Sequence, residues 1–315
     1  MPRAVKALYA ALVAALLAAS APAIIAAARD ASQQAAPPAP NPPPTPRTPG
    51  VRGLEIAVPA YVWANDPMLT DLTATAPAPS VVVLNPGNGD SPFDGPWRAR
   101  ADALRTRTTS TGEKTRVLGY VHTDHGNRDI AAAKASVDNY LKTPDGRLHV
   151  DGIFFDVVSR DCGPANATRD YYADLRRYVQ DAMDAADPAA PDLVVNNPGT
   201  AIADCYLEPG HRTADVFVTF EDTYAAYTGA GWLGGNVFDH LSGYRSGAEL
   251  DPSGTAFWHL VHDVPDPGAM RATLRTAFDR GAGYAYATSA IMPNPWNAGP
   301  TWKYRTQTTY AATLG

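Results

Sequence analysis

Short apolar and β-branched runs recur along the chain, each ending in polar, Gly or Pro residues and followed by a segment with helical spacing. The runs occupy residues 54–62, 80–85, 116–123, 151–156, 192–197, 215–221, 256–262 and 283–288. Their nearly continuous apolar character predicts strands buried on both faces, as in a parallel sheet. Between them, residues 97–107, 130–141 and 171–183 carry apolar side chains three and four apart. In the last of these Tyr171, Leu175, Tyr178, Val179 and Met183 share one helical face. Residues 267–278 open with Asp266 as N-cap and Pro267 at the first helical position, and residues 301–314 are the expected last helix. Eight strands alternating with helices over residues 54–315 predict an α/β protein, a single (β/α)8 barrel. The alternative, a doubly wound open sheet, would favour a Gly-rich phosphate turn after the first strand, and residues 61–64 offer none.

Upstream the pattern changes. Arg3 and Lys6 precede a small-apolar run at residues 7–28 that ends in three alanines, as in an export signal with an A-x-A-like cleavage site. The run approaches the ~20 residues that span a bilayer, so an uncleaved N-terminal anchor is the alternative, although alanine anchors poorly. Eight of the fifteen residues at 36–50 are Pro, which predicts an extended spacer without a core. The expected organisation is a signal peptide or anchor at 1–28, a Pro-rich linker at 29–53 and the barrel at 54–315. The protein is then secreted or held at the cell surface, and a monomer is expected. No later segment is long and apolar enough to cross a membrane.

The net charge of −6 argues against nucleic acid as a partner, because phosphate neutralisation needs clustered Lys and Arg. Without the first 53 residues the balance is 21 basic against 31 acidic side chains. The two cysteines, Cys162 and Cys205, fall after the fourth and fifth strands. In an oxidising compartment one disulfide between these neighbouring loops is expected, with Cα atoms roughly 4.4–6.8 Å apart. Two unpaired buried thiols are the alternative.

A barrel carries its chemistry at the C-terminal ends of its strands. Those ends supply Asn85, His122, Asp156, Asn197, Glu221 and His262, with Tyr61, Trp63 and Trp296 near the same rim. Carboxylates, amides and aromatic faces around one mouth suit a sugar. Asp156 and Glu221 each close an apolar strand, where a carboxylate is costly unless the strand has reached a polar mouth. Alternation places Asp156 on one face with Phe154 and Gly152.

The motifs VPAY at 58–61, VVVLNPGNGD at 81–90, GYVHTDHGNRD at 119–129, DGIFFD at 151–156, VVNNPGT at 194–200 and ADVFVTFE at 214–221 carry a resemblance to the spherulin-4, or spherulation-specific family 4, proteins. The resemblance covers nearly all of the chain after residue 54. It implies a (β/α)8 glycoside hydrolase acting on α-1,4-linked galactosamine or N-acetylgalactosamine polymers such as galactosaminogalactan, with the family's acids at Asp156 and Glu221. The family's tract commonly continues Asp-Glu, whereas Val157 follows Asp156 here. That departure keeps a non-catalytic carbohydrate-binding protein as the alternative.

Other constellations are weaker. His122 with His125 and His259 with His262 stand three apart, on opposite faces of a strand, so no metal site is expected. The Gly-rich stretch 229–235, with Trp232, reads as a rim loop rather than a nucleotide site. No cofactor is expected, since two carboxyl groups suffice for glycosidic cleavage. Asp156 and Glu221 come from next-nearest strands, so their backbones are on the order of 10 Å apart. The expected chemistry is retaining, with Asp156 as nucleophile and Glu221 as acid and base. Tyr61, Asn85, His122, Asn197 and His262 are expected to shape the sugar site.

Overall fold

Eight parallel strands close into one barrel in the computed structural model, which describes residues 53–208, 210–229 and 255–314. They are β1 (Glu55–Ala60), β2 (Val81–Leu84), β3 (Arg116–His122), β4 (Gly152–Asp156), β5 (Leu193–Asn197), β6 (Val216–Thr223), β7 (Ala256–His262) and β8 (Tyr284–Ala287). Each pairs with the next in sequence, and β1 closes on β8 through Glu55 and Ile56. The expected signal peptide, the Pro-rich linker up to residue 52 and Trp232 with most of its Gly-rich stretch lie outside the described residues. Among the described residues no helix is long and apolar enough to cross a membrane.

The helices are α1 (Pro67–Ala74), α2 (Gly95–Arg105), α3 (Ile130–Leu141), α4 (Ala167–Ala186), α5 (Tyr224–Thr228), α6 (Pro267–Asp279) and α7 (Tyr304–Ala311). Aspartate starts four of them: Asp66, Asp94, Asp129 and Asp266 each accept a backbone N–H of the first turn. One expectation fails. Between β5 and β6 the described chain has a 3-10 turn, Asp204–Leu207, and no α-helix. Pro198, Gly199 and Gly210 break that connection, and Cys205 ties it sideways.

Inside the barrel Phe154 packs between Tyr120 and Trp258, at ring-centroid distances of 6.2 and 5.6 Å, and forms the floor below Asp156. The expected face assignment of β4 therefore holds. Gly152 is at φ 146°, and a Cβ there would run into the backbone of Leu193. Only glycine lets β4 and β5 approach this closely.

The disulfide joins Cys162 to Cys205, with Cα atoms 6.2 Å apart. It closes a loop over a sequence separation of 43. In the chain-entropy account such a loop is worth about 4 kcal/mol. A variant with both cysteines changed to serine should lose up to that much unfolding free energy, read as a lower denaturation midpoint in urea. An unchanged midpoint would show that the bond braces nothing.

Candidate active site

Asp156 and Glu221 meet at the C-terminal mouth of the barrel. One nitrogen joins them: Asn197 Nδ2 donates to Asp156 Oδ1 and to Glu221 Oε2, each at 2.7 Å. The two acceptor oxygens therefore lie no farther apart than twice 2.7 Å. Gly199 fixes the amide's orientation, since its N–H donates to Asn197 Oδ1 at 2.8 Å. The same residue accepts Glu221 N–H on its carbonyl at 2.9 Å. It does so at φ 67°, a backbone conformation natural to glycine.

Asp156 also accepts from Tyr120 Oη at 2.7 Å on Oδ2, and from the backbone N–H of Val157. Val157 holds φ 52°, unusual for a β-branched residue, and its carbonyl accepts from His125 N–H at 2.7 Å and from Thr123 Oγ1 at 3.0 Å. Its contribution is its backbone; the side chain is not part of the cleft wall. Glu221 accepts from Trp296 Nε1 at 2.7 Å on Oε1.

Glu221 reaches the mouth through a bulge. Val216 and Val218 face the same side of β6, and strict alternation would add Phe220 and turn Glu221 outward. The register with β7 shifts between Val218 and Phe220, so Val218 pairs Trp258 while Glu221 pairs Leu260. The extra residue, Thr219, sends Phe220 out onto Tyr227, 4.7 Å between centroids, and brings Glu221 inside.

Burial sets the electrostatics. It pushes Glu221 up to about 7, with the Asp156 charge adding to the effect and the Asn197 and Trp296 donors opposing it. Burial also raises Asp156, against the donors Tyr120, Val157 and Asn197 and the nearby His122. Asp156 thus has three hydrogen-bond donors and Glu221 two. A single proton shared by the pair rests on Glu221, because donors stabilise the charged form.

The cleft around this pair measures about 550 Å³. Of the expected sugar-site residues, Tyr61, Asn85 and His262 line it, and Asn197 sits between the acids. His262 is buried, with Nδ1 lacking a hydrogen-bond partner and its ring 6.1 Å from that of Trp296. His122 is the correction: it pairs in register with Asp156 but does not line the cleft. Tyr120, two residues earlier on the same strand, has the longer reach and takes that wall. His122 instead lies close enough to favour the ionised forms of Asp156 and Asp90. Tyr120, Asn88 and Asn294 are lining residues that sequence reasoning missed. For Tyr120 the signal was there, since alternation puts it on the face of His122.

The paired histidines separate as expected, with His259 bonded to Tyr227 Oη at 2.9 Å away from the cleft that His262 lines. Among the described residues no group of three His, Cys, Asp or Glu side chains is placed to hold a metal ion.

A family profile described as spherulation-specific family 4 matches residues 55–309. Among solved structures, Aspergillus clavatus Sph3 in complex with GalNAc is similar, with a TM-score of 0.60 and 23% identity over 83% of this chain and 98% of that one. A citrate lyase from Burkholderia xenovorans LB400 gives a TM-score of 0.45 at 15% identity, covering 84% of this chain and 78% of its own. A glycoside hydrolase family 5 enzyme from Prevotella bryantii B14 gives 0.38 at 13% identity, with 79% and 85% covered. No curated protein sequence matches the chain.

Proposed function

The chain belongs to spherulation-specific family 4, and from that premise we propose an exported glycoside hydrolase that cleaves α-1,4-linked galactosamine or N-acetylgalactosamine polysaccharide. The observation that carries the proposal is the bridging amide: two buried carboxyls with unequal numbers of hydrogen-bond donors, held 2.7 Å from one nitrogen. GalNAc bound to the similar Sph3 supports an amino sugar as the unit recognised. The N-terminal pattern supports export, with a signal peptide or anchor at 1–28 and a Pro-rich linker at 29–53.

The chemistry follows from the spacing. Retaining glycosidases hold their carboxyls about 5–5.5 Å apart, and inverting ones about 6.5–9.5 Å. The two bonded oxygens are at most twice 2.7 Å apart, which falls short of the inverting spacing and supports retention. Asp156, the carboxylate with more hydrogen-bond donors, attacks the anomeric carbon as Glu221 gives its proton to the leaving oxygen. The glycosidic C–O bond breaks and an ester to Asp156 forms. Glu221, now ionised, takes a proton from water, whose oxygen displaces Asp156 and restores both groups. Tyr61, Asn85 and His262 border the sugar ring.

The test is reducing-end release from a purified α-1,4-galactosamine polymer, acetylated and deacetylated, beside a panel of other polysaccharides. Release from the amino-sugar polymer is the expected result. Binding without release would favour the non-catalytic carbohydrate-binding alternative, and neither would overturn both.

A further inference from the structure

The described residues have three strongly exposed large apolar side chains, Trp63 at 75%, Ile291 at 65% and Met292 at 62%. Met292 lines the catalytic cleft and Ile291 precedes it in the chain. Trp63 lines a second cleft of about 410 Å³, in the loop between β1 and α1. The two clefts share Tyr61, Asn85, Asn88 and Asn294, so one opens into the other. Exposed apolar groups gathered at a cleft, rather than scattered over a surface, mark a place where something docks.

The second cleft has a composition suited to a sugar. It offers one indole, the asparagines Asn85, Asn88, Asn294 and Asn297, and one charged side chain, Asp66. No Lys or Arg lines either cleft. An anionic sugar would meet only carboxylates there, and no cation would offset its desolvation. Asp66 uses Oδ1 to cap α1 through Met68 N–H at 2.8 Å.

We propose that Trp63, Asn88, Asn294, Asn297 and Asp66 form a second subsite, next to the scissile one, that takes an ammonium-bearing hexosamine unit of the chain being cut. The indole packs on the pyranose face, the amides bond its hydroxyls, and Asp66 pairs with the ammonium. The inference rests on the glycosidase reading for its substrate, but its test reads binding as well as turnover.

Short and long α-1,4-galactosamine oligomers, fully acetylated or fully deacetylated, are the probes. Trp63 is exposed, so Trp63→Ala leaves the fold intact, and Asp66→Asn keeps a good helix cap. For long oligomers Trp63→Ala should raise KM about tenfold, the equivalent of one lost stacking contact, with kcat little changed. For oligomers too short to reach the subsite it should change nothing. Asp66→Asn should weaken deacetylated long oligomers several-fold more than acetylated ones. An unchanged KM for long oligomers in Trp63→Ala, or an equal effect of Asp66→Asn on both forms, overturns the proposal. If the wild type releases no reducing ends, calorimetric binding of the same oligomers decides: Trp63-dependent binding of the long ones keeps the subsite while the glycosidase reading falls, and Trp63-independent binding or none removes the subsite too.

Discussion

Asp156→Asn and Glu221→Gln will each lower turnover on the order of 10³-fold or more, while binding of the polymer persists. Losses of this size follow when one member of a two-group catalytic unit is removed and the rest of the cleft stays in place. The first product released by the wild type will keep the α configuration, seen by NMR before mutarotation. An inverted product would remove Asp156 from the role of nucleophile, and near-wild-type turnover in either variant would remove that residue from the pair. Glu221→Gln carries a second readout. The buried glutamate holds its proton up to about 7, against 4.5 for an ordinary glutamate. Between those values the folded protein keeps a proton that the unfolded chain releases, so unfolding free energy falls as pH rises through the window. Glutamine has no proton to lose. The variant should therefore melt higher than the wild type at neutral pH, and the two should converge below pH 4.5. A residue kept only for stability would show the opposite, a lower melting temperature with turnover preserved.

The barrel was legible because burial on both faces leaves a simple trace. All eight strands fall within the apolar runs, apart from the last two residues of β6, and the Asp-Pro start of α6 sits where its residues predict. The disulfide followed from the expected export together with topology, since loops after adjacent parallel strands lie side by side. The site was half legible. Asp156 could be placed by alternation, but Glu221 could not. Counting by twos from Val216 turns it outward, and only the bulge at Thr219 brings it in. Nothing in the run VFVTFE announces that bulge, which exists through pairing with β7. The helix expected after β5 failed for a different reason. Its segment opens on Pro198 and Gly199, which break a helix, and is tied across to the neighbouring loop by Cys205. Asn197 was expected to help shape the sugar site. Its bridging position became visible only with the side-chain orientation set by Gly199.

That bridging amide leads to the second large effect. Asn197→Ala removes the donor that each carboxyl shares, along with the acceptor for Gly199 N–H. Losing one preorganised donor beside developing charge lowers kcat by about 10²–10³-fold. The pH profile then separates a positioning role from simple damage. The acidic limb of kcat/KM needs Asp156 ionised, and the alkaline limb, near 7, needs Glu221 protonated. Asn197 lowers the proton affinity of both groups, so its removal raises both. The whole bell should shift to higher pH, not merely shrink. Asn196 provides the control. It is also buried, adjacent in sequence and paired with Phe155 rather than Asp156, with its amide directed to the Thr213 carbonyl. Asn196→Ala should lower stability and leave both limbs where they are. If both alanine variants lose activity without any movement of the limbs, the shared amide does not tune the pair, and the division of roles between Asp156 and Glu221 loses its main electrostatic support.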